Sequence, residues 1–72
     1  MDDYKERMVK EHSDLVSRAK NLQRAIIQYE AGTVPFALST PIYLLREQLD
    51  VMNRYCHILR VRAEYEGIEL EY

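Results

Sequence analysis

The sequence predicts an all-α fold: an antiparallel two-helix hairpin that assembles into a homo-oligomeric helical bundle. Three observations predict it. The helix breakers cluster, with no Gly or Pro in residues 2–31, then Gly32, Pro35 and Pro41 close together, then none in 42–66 before Gly67. Apolar residues in both breaker-free segments recur at alternating steps of three and four, the seam of packed helices. Each segment also carries a second apolar stripe that a two-helix hairpin has no means of covering.

The first helix is expected over about 2–31. Met8, Leu15, Leu22 and Tyr29 lie seven apart, with Ala19 and Ile26 in the alternate places. Asp2 and Asp3 stand at its start, where the helix dipole favours negative charge. Gly32 supplies a left-handed residue past its end. The loop is expected over 32–40. The second helix is expected over about 41–66, with Thr40 as N-cap and Pro41 as its first residue. Its seam is Leu45, Leu49, Met52, Cys56, Leu59 and Ala63, and Gly67 marks the exit into a short C-terminal tail. Two seams of similar length joined by a short loop make one hairpin domain spanning 1–72. At its open end Lys5, Arg7 and Lys10 would approach Glu64, Glu66 and Glu69; the plainer alternative is that 64–71 is a solvated, fraying tail.

Length and charge narrow the function. A 72-residue chain forms one domain at most, and a core of that size rarely supplies more than ~3–5 kcal/mol without a staple. A lone cysteine, Cys56, excludes an internal disulfide, so self-association is the expected staple. The second stripes that would serve it are Val9, Val16 and Ile27 on the first helix and Val51, Tyr55, Ile58 and Tyr65 on the second. A net charge of −2 disfavours a nucleic-acid polymer as partner. No apolar run is long enough for a membrane span, so no membrane contact is expected. The acidic, polar N-terminus is unlike a secretory signal, and with the single cysteine it fits a reducing cytoplasm.

Catalysis finds little support. The sequence has no glycine-rich phosphate loop, no H-E-x-x-H and no nucleophile elbow. Cys56 falls on the core seam, where packing explains it. His12 lies on or beside the seam and His57 one residue from it; two imidazoles fall short of the three or four ligands zinc takes. Glu47 and Asp50 read as surface charges. No cofactor, metal or catalytic residue is expected.

Anion binding is the better-supported chemistry. Residues 15–29 hold Arg18, Lys20 and Arg24 and no acid. The loop half, 15–57, carries +2 and the remainder −4, so charge is polarised along the hairpin. Lys20 and Arg24 share a helix face, Arg46 lies near the start of the second helix, and the amides after Thr40 would favour an anion. Ser39 and Thr40 add hydroxyls, and Tyr43 offers a stacking face. The expected ligand-binding residues are therefore Lys20, Arg24, Ser39, Thr40, Tyr43 and Arg46. The alternative is that Thr40 only caps and the cations only solubilise. Six tyrosines without a tryptophan suit a protein interface as well as base stacking.

Several stretches also carry a resemblance: Tyr4-Lys5-Glu6-Arg7-Met8; Tyr29-Glu30-Ala31-Gly32-Thr33 with Phe36; Pro41-Ile42 with Leu44-Leu45; Gln48 with Met52 and Tyr55; Ile58-Leu59; Arg62-Ala63; and Glu66-Gly67-Ile68-Glu69-Leu70. The chain resembles a family of small phage and prophage proteins named after a crAss-like phage member. The similarity covers nearly the whole chain and rests on helix, loop and seam positions. The hairpin architecture is also similar to phage sponges that counter CBASS and Thoeris immunity. Those proteins hold nucleotide second messengers between protomers without cleaving them. No ligand motif of theirs is matched residue by residue, so none is carried over. The resemblance implies a non-enzymatic anti-defence protein that sequesters a cyclic oligonucleotide or a cyclic ADP-ribose-type signal in inter-protomer pockets. The alternative is a small oligomeric adaptor or structural phage protein acting through protein contacts.

Overall fold

The computed structural model describes residues 3–32 and 39–70. It consists of helix α1 (Asp3–Glu30) and helix α2 (Ile42–Glu66), packed side by side in a rod of 47 × 17 × 17 Å. Two cross-helix contacts fix their direction. His12 meets Arg60 at one level and Glu30 meets Arg46 at another, so the helices run antiparallel. Much of the loop expected over 32–40 lies outside the described residues, as do Asp2, Thr33, Pro35, Phe36 and Glu71.

The core follows the three-and-four rhythm. Met8, His12, Leu15, Ala19 and Ile26 are the buried residues of α1, and Cys56, Leu59 and Ala63 those of α2. Leu22, Tyr29, Leu45, Leu49 and Met52 occupy seam positions but are only half-buried, so the tightest packing lies away from the loop. Met8, Leu15, Cys56, Leu59 and Ala63 form one cluster, with Val16 and Met52 against it.

The end of α2 is closed by hydrogen bonds that a fraying tail would lack. Gly67 takes a left-handed conformation (φ 66°, ψ 33°), its N–H donates to the Glu64 carbonyl, and Ile68 N–H donates to Ala63 at 2.8 Å. This paired bonding satisfies carbonyls that a helix end leaves open, and its apolar partner is present: Ile68 packs on the core cluster, followed by Leu70. The tail is thus held by apolar contact, and no ion pair among the described residues joins Lys5 or Arg7 to Glu64, Glu66 or Glu69. Lys10 instead pairs with Asp14 one turn along its own helix, at 2.8 Å. That hydrogen bond holds the Asp14 carboxyl below its ordinary value. We expect Gly67→Ala to cost about 1–2 kcal/mol, because an L side chain is strained in the left-handed region; a shift of the urea midpoint at constant slope measures it.

The start of α2 differs from the sequence expectation. Pro41, not Thr40, is the N-cap: its ψ of 140° is extended, and no side chain caps the helix. Pro41 has no N–H to leave unsatisfied, and its carbonyl accepts from Leu44 N–H at 3.1 Å, which opens the helix one residue later than the Thr-Pro pair suggests. Thr40→Ala is therefore expected to change stability by no more than about 0.5 kcal/mol, the range of a surface substitution, rather than the ~1 kcal/mol of a lost cap. Thermal melts of the two proteins at one concentration decide it.

The two second stripes turn out to face opposite ways. On α1, Val9, Val16 and Ile27 each follow a buried seam residue by one position; on α2, Val51, Tyr55 and Ile58 each precede a seam residue, half-buried Met52 and buried Cys56 and Leu59. One residue is a rotation of about 100°, and in an antiparallel pair steps forward along both helices lead to the same side of the hairpin. The α1 stripe therefore opens with Asn53 and Arg60 on one side, and the α2 stripe opens on the other. Val16 is half-buried against the core. On α2, Val51, Tyr55, Ile58 and Tyr65 are exposed, Val51 by 67% and Tyr65 by 89%. Leu44, Gln48 and Arg62 complete the same spacing, giving a second heptad seam one residue out of phase with the first.

Candidate functional site

The six residues expected to bind an anion do not form one cluster. Lys20 and Arg24, both exposed, flank a shallow concavity of about 590 Å³ on the outer face of α1, with Gln23, Ile27 and Gln28. Ser39, Thr40 and Tyr43 are exposed near the start of α2. Arg46 forms an ion pair with Glu30 across the hairpin. Arg46 sits at the level of Glu30, six residues beyond Arg24 and ten beyond Lys20, so it lies about 9–15 Å from those cations along the rod at 1.5 Å per residue. A single phosphate cannot bridge that distance. The loop-half residues make two stations, one in mid-rod and one at the tip, and at the tip Arg46 already has a carboxylate partner.

A second concavity was not visible in the sequence. It is a groove of about 260 Å³ between the helices, on the side to which the α1 stripe opens. Val16, Ala19 and Cys56 give it an apolar floor, and Lys20, Gln23, Asn53 and Arg60 supply its polar groups. Lys20 and Gln23 line both concavities, so groove and outer shelf are continuous. Among the described residues, no carboxylate lines either one.

Arg60 is half-buried, and its Nε donates to Nε2 of His12 at 3.2 Å. His12 is completely buried on the core seam, in the place between Met8 and Leu15 where the rhythm asks for an apolar residue. A guanidinium has only donors, so the imidazole nitrogen facing it must be the unprotonated one, which puts the ring proton on Nδ1. His57 is exposed and one position off the seam. Cys56 is a buried thiol packed in the core.

A family model named Sequestin matches residues 2–65 of the chain, which takes in nearly all of both helices. The chain belongs to the Sequestin family. The stretch matched contains the groove, the outer shelf and the exposed α2 seam. The Gly67 cap and the Ile68–Leu70 tail follow it. No curated protein and no solved structure matches the chain significantly. No helix among the described residues is long and apolar enough to cross a membrane.

The groove residues that sequence reading missed are Gln23, Asn53 and Arg60. Asn53 and Arg60 follow Met52 and Leu59 by one position, as Lys20 follows Ala19. Only with the two helices set antiparallel do these positions share one side.

Proposed function

We propose that this Sequestin-family chain is a non-enzymatic phage anti-defence protein that sequesters a nucleotide immune signal, of the cyclic oligonucleotide or cyclic ADP-ribose type, in pockets between protomers in the host cytoplasm. The family name speaks of sequestration, and the reading extends it to a ligand class. The observation that carries the extension is the acid-free basic surface that runs from the groove through Lys20 to Arg24. Two cations at i and i+4 repel and cost their own helix about 0.2–0.5 kcal/mol, so placing them together makes sense when an anion is the partner. Gln23 and Gln28 beside them offer amides, and Ile27 an apolar surface for a base. Tyr43, exposed near the tip, is available to stack on a base presented by a second copy. The cations contribute binding and no bond cleavage, so ligand recovered from denatured protein is expected to be chemically unchanged.

Calorimetry against cyclic dinucleotides, cyclic trinucleotides and cyclic ADP-ribose isomers tests the proposal. Binding of at least one is expected, weakened by roughly ten- to hundredfold in Arg24→Gln, as for the loss of one charge-assisted hydrogen bond. Silence with every member of the panel would defeat it, and a hydrolysed product would replace it with an enzyme.

One observation favours a second reading. The α2 seam from Leu44 to Tyr65 is an exposed apolar stripe on the side of the hairpin away from the groove. If the panel fails while this seam still captures a second helix, an adaptor acting through protein contacts is the better description.

A further inference from the structure

The pairing of His12 with Arg60 is costly to keep in so small a core. A polar ring occupies a seam position where a leucine would pack without needing a partner, and it meets a half-buried cation 48 residues away. The imidazole nitrogen that accepts from Nε fixes the orientation of the guanidinium at the groove wall. Orientation matters when something else is to meet the arginine.

We propose that the groove between the helices is an anion subsite, in which Lys20 and Arg60, the latter oriented by His12, hold one phosphate-type group, with Gln23 and Asn53 hydrogen-bonding at its edges. The inference deepens the sequestration reading and rests on it, naming where the charged part of the ligand goes. Lys20 lies eight residues beyond His12, the partner of Arg60, a rise of about 12 Å at 1.5 Å per residue. Side chains on a helix lean toward its N-terminus. In antiparallel helices, Lys20 and Arg60 therefore lean toward each other, over Val16 and Cys56. An anion between them would lie on an apolar floor, where a charge-assisted bond gains strength from the lower local dielectric.

Size sets what the groove takes. Its roughly 260 Å³ lies below the ~300–1,000 Å³ of pockets that enclose a whole small molecule. It holds the charged group and part of what carries it. The remainder would lie over the shelf of Arg24, Ile27 and Gln28, which the groove meets at Lys20 and Gln23.

The test uses the full chain, labelled with nitrogen-15, titrated with inorganic phosphate and with pyrophosphate and followed by NMR. Shifts are expected at Gln23, Asn53 and the Arg60 side-chain Nε–H. Lys20→Gln and Arg60→Gln should each weaken pyrophosphate binding about tenfold, the scale of a charge-assisted hydrogen bond partly open to water. Arg18→Gln removes the same charge on the opposite side of α1 and should change it less than twofold. His12 is a positioning residue: His12→Leu should weaken binding severalfold well below its melting temperature. His12→Gln, whose carboxamide oxygen can accept from Nε, should restore both binding and the Arg60 Nε–H signal. Equal losses in Arg18→Gln and Arg60→Gln, or shifts that avoid the groove, would overturn the proposal. If Arg60→Gln fails to fold, the exposed Asn53→Ala, which alters the groove and not the shelf, decides in its place: severalfold weaker pyrophosphate binding is expected, and unchanged binding would overturn the proposal. Nucleotide binding that ignores both Lys20→Gln and Arg60→Gln would sink the groove and leave sequestration standing. Pyrophosphate binding in the groove with no nucleotide bound would do the reverse.

Discussion

Replacing Leu59 by alanine is expected to leave most of the chain unfolded at 25 °C. Leu59 has no exposed surface and sits within the cluster formed with Met8, Leu15, Cys56 and Ala63. Truncating a buried leucine costs about 2–5 kcal/mol, the lost transfer energy plus the cavity left behind. A core of this size supplies only ~3–5 kcal/mol altogether, so the substitution removes most of what holds the hairpin. Urea denaturation followed by far-ultraviolet circular dichroism gives the number. A loss under about 1 kcal/mol, well short of the usual range for such a truncation, would mean that packing between copies dominates the stability.

The second large effect is expected on the outer side of α2. In the proposed assembly Val51 and Ile58 lie seven residues apart at the centre of the exposed seam. Val51→Lys with Ile58→Lys should convert the assembly to monomers. The same pair should lower the melting temperature and abolish its dependence on protein concentration, because association stabilises by mass action. Light scattering and sedimentation at micromolar concentration read this directly. An unsubstituted protein that is already monomeric there would remove the assembly through α2 and with it the inter-protomer pocket. The pair lies on the far side from Lys20 and Arg60, so anion binding within one protomer should survive.

These two substitutions separate what the sequence made legible from what it did not. The seam containing Leu59 is a one-dimensional pattern: steps of three and four name the buried residues of each helix without reference to the other, and His12 falls on that pattern too. The second stripes are equally visible as spacing, yet their sides are not. Val16 follows its seam neighbour and Val51 precedes its own, and only the antiparallel packing turns that difference into opposite sides of the hairpin. The groove was hidden for the same reason. Arg60 is one cation among ten basic residues until α1 sets His12 beside it. The start of α2 was misread because a Thr-Pro pair fits two helix starts one residue apart, and the choice lies in the ψ of Pro41. Arg46 looked available because its partner Glu30 is distant in sequence.

Cys56 gives the hairpin a built-in clock. Its thiol lies in the seam beneath the groove with 4% of its surface accessible, and no other cysteine competes for reagent. Packed against α1 at the groove floor, the thiol is largely shielded from a maleimide, so labelling is expected to be dominated by separations of the two helices. Where reclosing is faster than reaction, that rate reports the free energy of opening. A ligand that clamps the groove across both helices would slow the clock, whereas one confined to the tip would leave its rate set by the parting of the helices around Cys56.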